Sequence, residues 1–112
     1  MLETALIISA VTAGNPAIPQ CQTPEAWRGL IAIHKPGSDM RHFAGDAAHE
    51  FMDAFNSTGV KTNFRADEVL IFSHPHFIRK LVVMFENGCL SNVAQLMPET
   101  LAEMLGKAFP EI

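Results

Sequence analysis

The sequence predicts an α+β domain, and three observations carry that prediction. Apolar residues between Ser38 and Asn56 recur with a helical period, those after Gly59 alternate, and Asn87-Gly88 is a strong two-residue hairpin signal. The strand patterns also run together instead of alternating with helices, as a parallel sheet would require. The expected architecture is helices in the N-terminal half, a three- to four-stranded antiparallel meander over about 60–96, and a C-terminal helix. A chain of 112 residues fits a single compact domain over 1–112.

Residues 2–13 are apolar almost throughout, so periodicity leaves buried helix and buried strand both open, and Gly14 would stop either. The prolines at 16, 19 and 24 make the next stretch an irregular connection. Thr23-Pro24-Glu25 supplies an N-cap hydroxyl, a proline whose missing N–H costs nothing at the first helical position, and an acid that the helix dipole favours. A short helix from Pro24 to about His34 follows. Beyond Gly29, Leu30-Ile31-Ala32-Ile33 keeps a strand open, and Lys35-Pro36-Gly37 ends the element in either case.

The clearest helix is expected from Ser38, as N-cap, to Asn56. Met40, Phe43, Ala44, Ala47, Ala48, Phe51, Ala54 and Phe55 would form its apolar arc, with His42, Asp46, His49, Glu50 and Asp53 opposite. Val60, Thr62 and Phe64 then alternate with polar neighbours, Ala66-Asp67 turns, and Glu68 to Ser73 reads as a second strand. A third strand runs from about Ile78 to Glu86. The Asn87-Gly88 turn sets its register, with Glu86 opposite Cys89, Phe85 opposite Leu90 and Val83 opposite Asn92. Pro98-Glu99 opens a closing helix to about Phe109, with Leu101, Met104, Leu105 and Ala108 as its buried stripe.

Composition excludes several function classes. The chain is 48% hydrophobic and 18% charged, with a net charge of −4, which is unlike a disordered chain. Arg79-Lys80 is the only adjacent basic pair, so nucleic acid is not an expected partner. The apolar stretch from Leu6 to Val11 is far short of the ~20 residues that span a bilayer. It follows an acid, Glu3, rather than the basic segment of a targeting sequence, so a cytoplasmic protein without membrane contact is expected. Cys21 and Cys89 sit in no metal or redox spacing and read as reduced thiols. A bridge between them would need Cα atoms within roughly 7 Å.

Two histidine groups are the only chemical constellations. His42, Asp46, His49 and Asp53 would share one side of the long helix, and His74-Pro75-His76 puts two imidazoles at i, i+2. Asp46, His49, His74 and His76 together would make a zinc or iron set if the helix met that turn. The simpler reading is a solvated helix face and a polar strand end. There is no GxSxG, GxGxxG, Walker or HExxH signature, so the sequence leans away from an enzyme.

The expectation is therefore an interaction protein of the inhibitor, immunity or mobile-element accessory kind, acting on a protein partner through Asp46, His49, Glu50 and Asp53. The small metal-dependent enzyme or sensor is the rival. The unalternated run Leu81 to Phe85 needs cover on both faces, from N-terminal elements or from a second copy. Leu81, Val83 and Phe85 are accordingly the candidate homodimer surface.

Overall fold

A computed structural model describes residues 21–58 and 63–110. Their elements run α1 (Pro24–His34), β1 (Asp39–Ala44), α2 (Asp46–Asn56), β2 (Glu68–Ser73), β3 (Lys80–Glu86), β4 (Cys89–Leu96) and α3 (Pro98–Ala108). The strands form one antiparallel sheet in the order β1-β2-β3-β4, so the fold is α+β. The apolar segment 2–13, and residues 60–62 of the strand expected from Val60, lie outside the described residues.

α1 starts as its sequence dictates: the Thr23 hydroxyl accepts from the Ala26 N–H at 3.2 Å, and Pro24 occupies the first turn. Past Gly29 the chain stays helical to His34. The hairpin also forms as expected, with φ of 56° at Asn87 and 81° at Gly88. Glu86 faces Cys89 and Phe85 faces Leu90, but Met84, not Val83, then faces Asn92 because the register shifts between Met84 and Phe85. Ser91 is the extra residue of this bulge. Its hydroxyl lies 3.1 Å from both the Met84 and the Arg65 carbonyls, so its one proton ties the bulge to the segment before β2.

The long helix expected from Ser38 is corrected. Its first part is strand β1, paired with β2 from Asp39 opposite Ser73 to Ala44 opposite Glu68. Gly45 makes the break, with φ 61° and ψ −130°, a conformation open to residues without a Cβ. The Gly45 N–H donates to the Asp67 carbonyl at 3.1 Å, and α2 begins at the next residue. A six-residue ladder thus outweighs a helical apolar pattern that crossed a glycine. The fourth strand of the sheet is β1, while Asn63–Ala66 are not strand.

The sheet is covered on both faces. On one, Phe43, Val69, Ile71, Val82 and Met84 pack with Ala48, Phe51, Met52 and Phe55 of α2 and Leu101 and Met104 of α3. On the other, Leu70, Phe72, Val83 and Phe85 pack under Ile31 and Trp27 of α1. Val83 and Phe85 are 0% exposed. The cover that Leu81 to Phe85 required is therefore supplied by α1, an N-terminal element, and the premise that pointed to a second copy on this face is removed.

The reading of the cysteines as reduced thiols is also corrected. Cys21 and Cys89 form a disulfide, with Cα atoms 5.2 Å apart across a sequence separation of 68. Spacing along the chain held no trace of this, because the pairing depends on α1 crossing the sheet to meet the hairpin. Beside the bridge, the Leu90 N–H donates to the Gln22 carbonyl at 2.8 Å, and the Trp27 indole N–H donates to Gln22 Oε1 at 3.1 Å. Among the described residues, no helix is long and apolar enough to cross a membrane.

Candidate functional site

α2 is amphipathic for local reasons. Ala48, Phe51, Met52 and Phe55 recur at helical spacing and are buried, while Asp46 sits in the first turn, where the dipole favours an acid. Asp46, His49, Glu50 and Asp53 fall within an arc of roughly 100° by the 3.6-residue period, and all four are exposed. The acidic face read from the sequence is thus a real surface of the helix.

Its C-terminal half borders an open cleft of about 520 Å³, walled by His49, Asp53 and Asn56 on one side and by Asn63, Phe64, Arg65 and Asp67 on the other, with Glu86 at the end. Asn56 holds the second wall. Its amide donates to the Phe64 carbonyl at 2.9 Å, and its Oδ1 accepts from the Phe64 N–H at 3.3 Å, so both backbone groups of Phe64 are satisfied as a neighbouring strand would satisfy them. The Phe64 ring leans on Phe55, with centroids 6.1 Å apart, yet remains 39% exposed.

Asp67 anchors the same segment. Its Oδ2 accepts from the Asn87 N–H at 3.1 Å, its N–H donates to the Phe85 carbonyl at 2.9 Å, and its carbonyl receives Gly45. Arg65 approaches Glu86 at 3.5 Å and is otherwise open to solvent. The carboxylates of Asp53, Asp67 and Glu86 line this cleft together with the Arg65 guanidinium and the partly exposed Phe64 ring, and Asp46 and Glu50 continue the exposed acidic face of α2. Such a surface accepts hydrogen bonds from cations and offers a ring for a cation to stack on.

The proposed constellations separate. His42 stands on β1, not on the helix with Asp46, and its Nε2 meets Glu68 Oε2 at 2.7 Å. His49 and Asp53 share the cleft, but His74 and His76 lie beyond the Ser73 end of β2, whereas Asp46 follows the strand end that pairs with Glu68. The length of β2, about 17 Å at the rise of a strand, keeps the groups apart. His74 is moreover engaged at both ring nitrogens: Nδ1 accepts from the His76 N–H at 3.0 Å, so Nε2 carries the proton directed at the Pro36 carbonyl 3.2 Å away. Among the described residues, no three His, Cys, Asp or Glu side chains gather to hold a metal ion. The zinc or iron set of Asp46, His49, His74 and His76 does not assemble.

Sequence reasoning missed Asn56, Phe64, Arg65 and Asp67 as parts of one site. Alternation with Asn63 and Arg65 reads Phe64 as part of a strand, whereas residues 63–66 are not strand and the Asn56 side chain bonds both backbone groups of Phe64. The chain matches no family model, no curated protein and no solved structure.

Proposed function

We propose that this domain binds another protein, and that the acidic face of α2 together with the Phe64 cleft takes a basic segment of that partner. The carrying observation is the continuity of the exposed α2 carboxylates with a cleft that presents a phenyl ring 39% exposed. An arginine or lysine entering there would pair with Asp53 or Asp67 and stack on Phe64, and the wider acidic field of Asp46 and Glu50 would speed its approach. In this reading the domain is an inhibitor- or immunity-type binder that works as a dimer. Disulfides persist in oxidising surroundings, so Cys21–Cys89 favours such a compartment over the cytoplasm first expected.

The test is binding to an array of arginine- and lysine-bearing cyclic peptides, read by fluorescence anisotropy at low and high salt. Selective binding should weaken with salt and fall at least tenfold in Asp46→Lys/Asp53→Lys and in Phe64→Ala, in line with loss of interface anchors. Leu30→Lys, on exposed α1, should bind as the wild type does. Equal binding by wild type and charge-reversed variants would sink the reading.

A further inference from the structure

The segment before α1 is held against the outer edge of the sheet. Cys21 is bonded to Cys89, the first residue of β4, and the Gln22 carbonyl accepts from the Leu90 N–H at 2.8 Å. A two-residue turn closes on a hydrogen-bonded pair, here Glu86 and Cys89, so Leu90, opposite Phe85, directs its N–H away from β3. The backbone at Gln22 therefore stands on the outer side of β4, where a fifth strand would lie.

Farther along, that edge is open. Past the bulge the alternation resumes, and Val93, opposite Val83, and Gln95, opposite Leu81, turn their N–H and C=O groups outward. Among the described residues, nothing bonds to them there. Val83 packs under α1; its cross-strand partner Val93 shares that face and is 39% exposed. Charges and prolines are the usual devices that keep an edge unpaired. β1, the other edge, carries Asp39, Arg41 and His42, whereas the eight residues of β4 include neither a charge nor a proline.

Twenty residues precede Cys21, and their composition suits this edge. Leu6 to Thr12 reads Leu-Ile-Ile-Ser-Ala-Val-Thr, free of charge and proline and rich in β-branched side chains. Length suits it too. At the rise of an extended chain, residue 13 can lie up to about 26 Å from Cys21, and Val93 and Gln95 are about 13 and 20 Å from Cys89. Tethering then decides between this segment and a partner free in solution. A short linker gives the segment it carries an effective concentration on the order of millimolar, so a second copy at micromolar concentration making equal contacts is outcompeted. The bridge fixes the end of that linker to the strand that is to be covered.

We propose that residues within 2–13 add to the outer edge of β4 as a fifth strand, pairing with the outward backbone groups of Val93 and Gln95 and covering the Val93 side chain. This goes beyond the acidic-face reading and does not depend on it. The experiment is amide exchange of the full chain by NMR at about 50 and about 500 µM, alongside sedimentation, because only an intermolecular contact changes by mass action. The Val93 and Gln95 amides should be protected equally at both concentrations in a protein of monomer mass. Ile8→Pro/Val11→Pro is the matching variant. Successive N–H groups of a strand point to opposite sides, and these two positions differ in parity, so one proline removes a donor facing β4 in either register. Protection at Val93 and Gln95 should fall roughly tenfold in it, while the β2 and β3 amides keep theirs and show the fold intact. Free exchange of both amides in the wild type would overturn the proposal. So would protection that appears only as the mass doubles, which would make a second copy the occupant, or protection that survives both prolines.

Discussion

The two faces of the sheet are closed by different means. On the α2 and α3 face, two helices bring Phe51, Met52, Phe55, Leu101 and Met104 onto the strands, and stacked Phe43 and Phe51 rings lie 5.7 Å apart. Among the described residues, the other face is reached by one helix, α1, through Trp27 and Ile31. What holds α1 there is at its ends: the Cys21–Cys89 bridge and the Gln22 carbonyl at one, and the Pro36 carbonyl meeting His74 at the other. Both layers bury apolar area, and among the described residues the α1 layer adds a covalent and hydrogen-bonded tether at the helix ends. A small domain has limited apolar surface to distribute, and a covalent clamp adds to packing on the face that α1 covers.

The packed face should respond most to truncation. Phe51→Ala removes a fully buried ring and is expected to cost about 3–5 kcal/mol in urea unfolding, with loss of exchange protection throughout the domain. A cost below ~1 kcal/mol would show that this face does not carry the fold. Removing the tether comes next. Cys21→Ser/Cys89→Ser opens a sequence separation of 68 and should cost about 2–4 kcal/mol. Its mark is uneven: exchange should rise in α1 and the β3–β4 hairpin first, while α2 and α3 keep their protection. A uniform rise would erase the distinction between the faces.

Much of this was legible in the sequence, for identifiable reasons. α1 and α3 were bounded by Thr-Pro and Pro-Glu starts, whose effects are local, and the hairpin by Asn-Gly, whose backbone demand is local too. The acidic arc of α2 followed from its own period. What failed depended on distant partners. β1 looked helical because Met40, Phe43 and Ala44 suit a helical arc, and only the ladder with β2 makes them a strand. The bulge at Ser91 depends on the Met84 and Arg65 carbonyls, the disulfide on how α1 lies across the sheet, and the cleft on Asn56 reaching Phe64.

Gly45 was the one warning available in advance, and it separates the two readings by sign. In a continuous helix, Gly45→Ala would stabilise the protein by up to ~1 kcal/mol. At φ 61° and ψ −130° it should instead destabilise by about 1–3 kcal/mol, although the space around the added methyl is open. The loss should appear as early exchange at the start of α2, on the packed face. Thermal and urea unfolding of this one variant decide between a continuous helix and a strand joined to a helix.

The smallest effect probes the tether itself. Thr23→Ala removes the hydroxyl that caps α1 3.2 Å from the Ala26 N–H, a change of about 1 kcal/mol for a helix whose formation is coupled to global folding. With the bridge intact, α1 can fray at this end and still be held near the sheet by Cys21, two residues before the cap. Global stability should then fall by only a few tenths of a kcal/mol, with the remainder seen as local exchange in the first turn. In the Cys21→Ser/Cys89→Ser background the cap and the side-chain contacts must hold that end of the helix unaided, and the same substitution should recover its full cost. A double-mutant cycle measures the difference as a coupling energy. Additive losses would mean that α1 is held by its packing, as α2 and α3 are, and that the two faces are closed in the same way.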